Sequence, residues 1–268
     1  LLDAAEMLDA IEDTVFNGSY YYGIHVDSEL ISPGEEFTDE AAASGNLADL
    51  LVGIRNNAID EDWGNPPSTE DAQPDELNFG AMNPGRIFTM SGEEYRYLED
   101  MDNGNHMIIK NDSIRNVSWE AQNDELISWY AGLDDEVKAI VQPVTNVFTT
   151  GEVSDGNVTF DIPRWIPNNL YGEVAADVTS VVQGTNGSPR AFLSLADVTR
   201  LSGAGRGFPL LRQRGSVALG WWWLRTPSTS TQAWITNTNG HLGGTTNSGE
   251  GSGGGGVRPA LIIHQSPN

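Results

Sequence analysis

Cysteine is absent from the 268 residues of the chain, which removes a disulfide framework, a thiol nucleophile and thiolate metal sites from consideration. With 38% hydrophobic residues a chain of this length can bury a core without such staples, so the absence says little about compartment. Lysine is nearly missing too: Lys110 and Lys138 are the only two, and all basic groups number 14 against 38 acidic ones. The net charge of −24 argues against binding nucleic acid or an anionic membrane, both of which need positive surface. A lysine-poor acidic surface suits high-salt solution, and an ordinary acidic secreted protein shares it. No run of about 18 apolar residues is present, so no membrane span is expected. No basic stretch leads into an apolar core at the N-terminus, and the start at Leu1 rather than Met points to a processed or truncated beginning.

Catalytic signatures are scarce as well. His25, His106, His241 and His264 are scattered without metal-ligand spacing, and no Ser-His-Asp order sits in a nucleophile-elbow context. Carboxylate pairs such as Glu93-Glu94 are too common in so acidic a chain to diagnose a glycosidase. Gly249, Gly251 and Gly254 satisfy a G-x-G-x-x-G pattern, but a β-like run follows instead of the helix that phosphate cradling needs. Asp100, Asp102 and Asn105 surround Gly104 in a pattern near that of a calcium loop, yet the spacing misses the EF-hand and a hairpin turn explains them more simply. No enzyme activity and no cofactor are expected; a structural calcium ion remains compatible with the acidity.

What is present is unevenly distributed. Residues 1–188 hold about 36 acidic and 7 basic groups, roughly −29, whereas residues 189–268 hold about 2 and 7, roughly +5. Leu1, Ala4, Leu8, Ile11 and Val15 predict an amphipathic helix over residues 1–16, either packed on the protein's own body or serving self-association. Residues 32–79 are acidic and rich in turn formers, with one short helical candidate near 47–55. From Arg86 onward, Arg86-Ile87-Phe88-Thr89-Met90 and Tyr95-Arg96-Tyr97-Leu98 read as strands. Asn103-Gly104 then reads as a hairpin turn into His106-Met107-Ile108-Ile109-Lys110. Residues 121–130, 134–141 and 195–202 predict helices, and residues 142–190 read as irregular strands and loops.

Three motifs carry a resemblance: Ala191-Phe192-Leu193-Ser194-Leu195, Trp222-Trp223-Leu224-Arg225-Thr226-Pro227 and Gly256-Val257-Arg258-Pro259-Ala260-Leu261. In this order the chain resembles a bacterial, archaeal and viral family of C-type-lectin-like domains that includes variable proteins of diversity-generating retroelements and is distantly related to formylglycine-generating enzymes. The resemblance covers about residues 80–264. It implies an α+β, C-type-lectin-like fold, irregular and loop-rich, over residues 80–268 and leaves the first 80 residues unexplained; the N-terminal helix and acidic loop-rich segment over 1–79 are read separately as an assembly or anchoring region. Those enzymes depend on cysteine, so their activity is not carried over. Gln73-Pro74-Asp75 matches a calcium-coordinating tripeptide of galactose-binding lectins, but it lies upstream of the resembling region and lacks a Trp-Asn-Asp partner.

Arg225 and Arg258 are expected to be held in the core by buried carboxylates or carbonyls, and Pro259 restricts Arg258 to extended geometry. Between the motifs, about 226–256, the composition turns to Ser, Thr, Asn and Gly, as a display surface would. Ala233, Ile235, Gly240 and Leu242 match structural positions of the family, so alternation turns Trp234, Thr236 and Thr238 outward. Because diversified members vary between these motifs, the resemblance makes Ser228, Thr229, Ser230, Thr231, Trp234, Thr236, Thr238, His241 and Thr245 the ligand-contacting candidates. A plain polar surface loop on a structural domain is the alternative. Asn-x-Ser/Thr sites at Asn17, Asn111, Asn116, Asn157 and Asn186 weakly favour an exterior location. The expected protein is an extracellular, cell-surface or virion-surface adhesin that meets a protein or glycan ligand on another cell or virion. The alternative is a structural subunit of a filament or virion, assembled between its acidic N-terminal and mildly basic C-terminal parts.

Overall fold

A computed structural model describes residues 71–145, 151–162, 164–182, 187–215, 220–247 and 255–266. The helix expected over residues 1–16, the helical candidate near 47–55 and most of the acidic segment lie outside the described residues, all of which belong to the unit Gly64–Asn268. The described part is mostly strand with a few short helices, an α+β arrangement.

Two sheets organise it. The first takes β1 (Asp71–Ala72), β2 (Ile87–Met90), β3 (Glu93–Asp100), β4 (Asn105–Lys110), β6 (Val141–Gln142) and β11 (Ala260–His264), in the order β1-β2-β3-β4-β11-β6. The second runs β5-β10-β7-β8-β9, from β5 (Ile114–Arg115), β7 (Trp221–Thr229), β8 (Gln232–Thr236), β9 (Leu242–Asn247) and β10 (Gly255–Val257). Four α-helices are described: α1 (Gln122–Ala131), α2 (Asp135–Ile140), α3 (Gly172–Ala176) and α4 (Leu195–Arg200). The structured body begins upstream of residue 80, because β1 pairs with β2 and Leu77 and Phe79 are buried.

Local chemistry accounts for the main elements. Asp102, Asn103 and Gly104 all have positive φ (65°, 53° and 74°), the conformation that Asn and Gly tolerate and that turns β3 tightly into β4. Helix α4 starts at a capping box, in which Ser194 Oγ accepts from Asp197 N at 2.9 Å and Ser194 N donates to Asp197 Oδ2 at 3.0 Å. The Val257-to-Ile263 run forms two strands, split at Arg258-Pro259, where the chain leaves the second sheet and enters the first. Proline has no N–H for a ladder, so pairing stops there, and the Pro259 carbonyl instead accepts from Lys110 N at 2.8 Å.

Alternation then sorts the core. Ala260 and Ile262 join Leu98, Met107, Ile109, Trp222, Leu224 and Trp234 in one cluster, which fills the space between the two sheets. Leu261 and Ile263 point the other way, into a second cluster with Phe79, Phe88, Tyr95, Tyr97 and Ile108, covered by Val137 of α2.

Candidate functional site

Strand β7 is the spine of the second sheet, and its register with β8 and β9 decides which candidate residues meet solvent. Trp222 pairs with Thr236 and Thr236 with Leu242; Trp223 pairs with Ile235 and Ile235 with Gly243. Directly paired residues share a face, so the row of Trp222, Thr236 and Leu242 faces the core, and the row of Trp223, Ile235 and Gly243 faces away from it.

Trp234 belongs with the core-facing residues. It is fully buried among Trp222, Leu224 and Leu242, and its indole Nε1 donates to the Val153 carbonyl at 2.9 Å. The expectation of an outward Trp234 is thus corrected, and the same holds for Thr236, which is also fully buried. Both phases of the alternation satisfy the period of two; the phase adopted buries an indole in place of Ile235, and the larger apolar area wins. Ser228 is only 1% exposed, and neither Ser228 Oγ nor Thr236 Oγ1 has a hydrogen-bond partner among the described residues.

The remaining candidates divide between the two ends of β8. Thr229, Ser230 and Thr231 form the β7–β8 turn, with Ser230 and Thr231 exposed; Thr238 is exposed and His241 half-buried in the β8–β9 connection. Five strand residues at about 3.4 Å each separate these tips by roughly 17 Å. Thr245 lies in β9, but its side chain is outside the described residues, as are residues 248–254. The structure therefore arranges the eight candidates whose side chains it describes as two polar tips and a buried trio, not as one patch.

The distal tip is rigidly held. Asn237 Oδ1 accepts from Asn239 N and His241 N, both at 2.9 Å, while Asn237 N donates to the His241 carbonyl at 2.9 Å. Gly240 (φ 86°) lies so close to Leu211 that a Cβ there would come 1.7 Å from its carbonyl oxygen, and the Gly240 carbonyl accepts from Arg214 Nε at 2.8 Å. Beside it, Asp155 ties down β9, accepting from Gly244 N at 2.6 Å and from Arg164 Nη1 at 2.7 and 2.8 Å. Burial works against ionisation of Asp155, but the hydrogen bonds from Arg164 and Gly244 outweigh it and hold the carboxyl below its usual value.

Between the tips, the outward side carries residues that the candidate set omits: half-buried Trp221, Ile235 and Gly243. Trp221 stands edge-on to Trp223 at 4.6 Å, and a Cβ on Gly255 would collide with its ring at 2.3 Å, so glycine is required beneath the indole. Trp223 faces outward but is sealed, donating through Nε1 to Val117 O at 2.8 Å, while Trp119 Nε1 donates to Leu224 O at 2.8 Å. The signal that would have found these residues was the choice of strand phase by the largest side chain.

The arginines support the frame, as expected. Arg225 makes three bonds to the Asp177 carboxylate, Nε to Oδ1 at 3.0 Å and to Oδ2 at 3.2 Å and Nη2 to Oδ1 at 2.8 Å, lies 3.2 Å from Asp197, and donates to Phe192 O at 2.7 Å. Burial alone would raise Asp197, but Arg225, Arg200 and the backbone N–H groups of Ser194 and Thr179 prevail and hold it below its usual value. Arg258 is held by carbonyls, donating to Lys110 O at 2.7 Å, and burial lowers its pKa to about 9. Arg214, Arg225 and Arg258 are all buried and Arg200 is paired with Glu99 and Asp197, so much of the positive charge counted in residues 189–268 is not on the surface. Asn111 is buried as well, which removes it as a glycan acceptor.

Among the described residues no helix is long and apolar enough to cross a membrane, and no group of three His, Cys, Asp or Glu side chains is placed to hold a metal. No curated protein and no solved structure matches the chain. A family model described as a domain of unknown function (DUF6273) matches residues 95–265, a span that takes in the whole second sheet and runs just past β11, and the chain belongs to that family.

Proposed function

We propose that the chain is a non-enzymatic ligand-binding protein of adhesin or receptor-binding type on a C-type-lectin-like scaffold, with its contact surface on the outward side of β7, β8 and β9. The two tips, 229–231 and 237–241, supply hydroxyls and amides, and Trp221 and Ile235 supply the apolar contact between them. Its ligand is a protein or glycan on another cell or virion, and its location is extracellular. The observation that carries this reading is the rigidity of the distal tip, where the Asn237 bonds and the seat of Gly240 on Leu211 hold a loop whose Thr238 and Asn239 project into solvent. Pre-ordered small polar groups beside an apolar anchor lose little entropy on binding. The lectin-like resemblance draws support from its motif residues, since Trp222, Trp223 and Leu224 are buried and Arg225 and Arg258 are core ties.

The filament or virion subunit is the less favoured reading, because four of the seven basic groups of the C-terminal third, Arg200, Arg214, Arg225 and Arg258, are buried or paired. The test of the leading reading is a combined glycan and surface-protein array probed with the wild-type chain and with a Thr231→Ala/Thr238→Ala variant. Selective binding by the wild type that falls at least tenfold in the folded variant is the expected result. Absence of any bound ligand, or binding indifferent to both tips and to Ile235→Asp, would sink it.

A further inference from the structure

The first sheet carries a separate constellation, at the end where β3 turns into β4. The register between these strands shifts between Tyr97 and Glu99, so that Tyr97 pairs with Ile108 but Glu99 pairs with Met107 and Asp100 with His106. A bulge puts two successive residues on one side. Leu98 and Glu99 both turn toward α4, where Glu99 meets Arg200, and Asp100 is returned to the face of Tyr97 and His106.

His106 is only 3% exposed, with its ring centroid 5.9 Å from both Phe79 and Tyr97. Its Nδ1 lies 2.9 Å from the Tyr97 hydroxyl. Burial first, then the charges of Asp100 and Glu99, push the Tyr97 phenol up, so it stays protonated. The His106 ring nitrogen is the only acceptor for that proton among the described residues. With the phenol protonated we assign Tyr97 as the donor to Nδ1, which places the His106 proton on Nε2. Burial also lowers the imidazole below its ordinary value, against the pull of Asp100, which favours the neutral ring at pH 7.

His106 and Asp100 line one cleft of about 380 Å³, walled by Gly80 and Gly104 and also reached by Asn78 and Ser266. One Asp100 oxygen, Oδ1, accepts from Asp102 N at 2.9 Å. The cleft thus presents a fixed N–H donor next to a carboxylate acceptor, on paired residues of adjacent strands. A hydroxyl group answers both at once, accepting from the imidazole and donating to the carboxylate. An anion is repelled by Asp100, and a cation finds the imidazole N–H pointing at it. The volume sits at the small end of ligand sites, near the size of one or two sugar rings.

We propose that this cleft is a further binding site, for a small neutral polyhydroxylated ligand of the monosaccharide class, with one hydroxyl bridging His106 Nε2–H and the Asp100 carboxylate. Saturation-transfer NMR on the full chain with glucose, galactose, mannose and N-acetylglucosamine, with phosphate and ethanolamine as charged controls, tests it. At least one sugar should bind and shift the His106 ring resonances. Asp100→Asn keeps an oxygen for the Asp102 N–H but loses the charge, and should weaken the sugar about tenfold at an unchanged Tm. Binding by none of the sugars, binding of a charged control alone, or sugar binding that ignores Asp100→Asn or leaves His106 unmoved overturns the proposal. The Thr231→Ala/Thr238→Ala variant should bind the sugar normally, which keeps this site's outcome separate from that of the β7–β9 surface.

Discussion

The core face and the outward face of the second sheet use the same three strands and draw on similar residues, but position in the register gives them opposite physical roles. On the core face, Ser228 and Thr236 are as buried as Trp222 and Trp234, while Thr226 Oγ1 accepts from Leu195 N at 2.9 Å. On the outward face, Ile235 stays half-exposed although it is as apolar as anything beneath it. Polarity therefore does not sort these residues; strand phase does, and phase is set by where the three tryptophans 222, 223 and 234 find cover. The face that ends up dry should respond to substitution through stability, and the face that ends up wet through binding alone.

The hardest blow to that contrast would be a tolerated Trp234→Ala. Removing a fully buried indole that also bonds Val153 O should cost about 3–5 kcal/mol, enough to threaten the fold. Urea unfolding monitored by near-UV circular dichroism measures it. A variant with wild-type stability would mean that Trp234 faces solvent after all.

Next in size is Asp197→Asn, which takes one carboxylate from the Arg225 tie beneath β7. About 3 kcal/mol is expected, the low end for removing one partner of a buried pair, because Asp177 remains on Arg225. The pH dependence has a definite sign. Asp197 is held below its unfolded value near 3.9, so its contribution is present above that pH and disappears as acid reaches the folded value. His106 is also lowered, so below about 6.5 the unfolded chain takes up a proton first and stability begins to fall there. Urea midpoints of the wild type at pH 7, 5.5 and 3.5 should decrease in that order. Asp197→Asn should flatten only the step below pH 5.

The same contrast explains what was legible in the sequence. Turn chemistry and periodicity located β2, β3, β4, α1, α2 and α4 within a few residues, because Asn103-Gly104 and the apolar spacings are local signals. The motif residues Trp222 to Arg225 and Arg258 also took frame positions, Arg225 against carboxylates and Arg258 against carbonyls. The phase of β8 was misread because Ala233 and Ile235 were matched to structural positions of the resembling family, and only the third dimension shows that the indole between them takes the core. His106 was set aside as one of four scattered histidines, and Asp100 as part of the hairpin turn around Gly104. Counting outward from the Asn103 turn pairs them, but the bulge at Leu98–Glu99 that brings Tyr97 onto the same side is a tertiary fact.

Gly244→Ala probes the seam between the faces. A Cβ would come 2.8 Å from Trp234 Cε2 and 2.9 Å from Ser228 Oγ, and neither a packed indole nor a buried hydroxyl can move far. Overpacking of this kind costs about 1–3 kcal/mol, less than losing the indole, and should show as a lowered urea midpoint with an unchanged slope. Gly243→Ala, one position away on the outward face, meets only Ile235 Cγ1 at 3.7 Å, and adjacent glycines with unequal costs would display the alternation directly.

The smallest effect on stability is expected where the effect on function is largest. Thr231 and Thr238 are exposed, and truncating surface hydroxyls outside caps and cores usually changes stability by less than about 0.5 kcal/mol in either direction. Their loops do not depend on them: the distal tip is closed by Asn237 Oδ1 and by Gly240 against Leu211, and Thr231 contributes its backbone N–H, not its hydroxyl, to Thr229 Oγ1 at 3.3 Å. Thr231→Ala/Thr238→Ala should therefore melt with the wild type while losing its array ligand. A variant that melts early would show the tips to be structural. Unchanged binding would move the contact surface off the tips and onto Trp221 and Ile235, which Ile235→Asp then tests by itself, since its charge enters solvent and not the core.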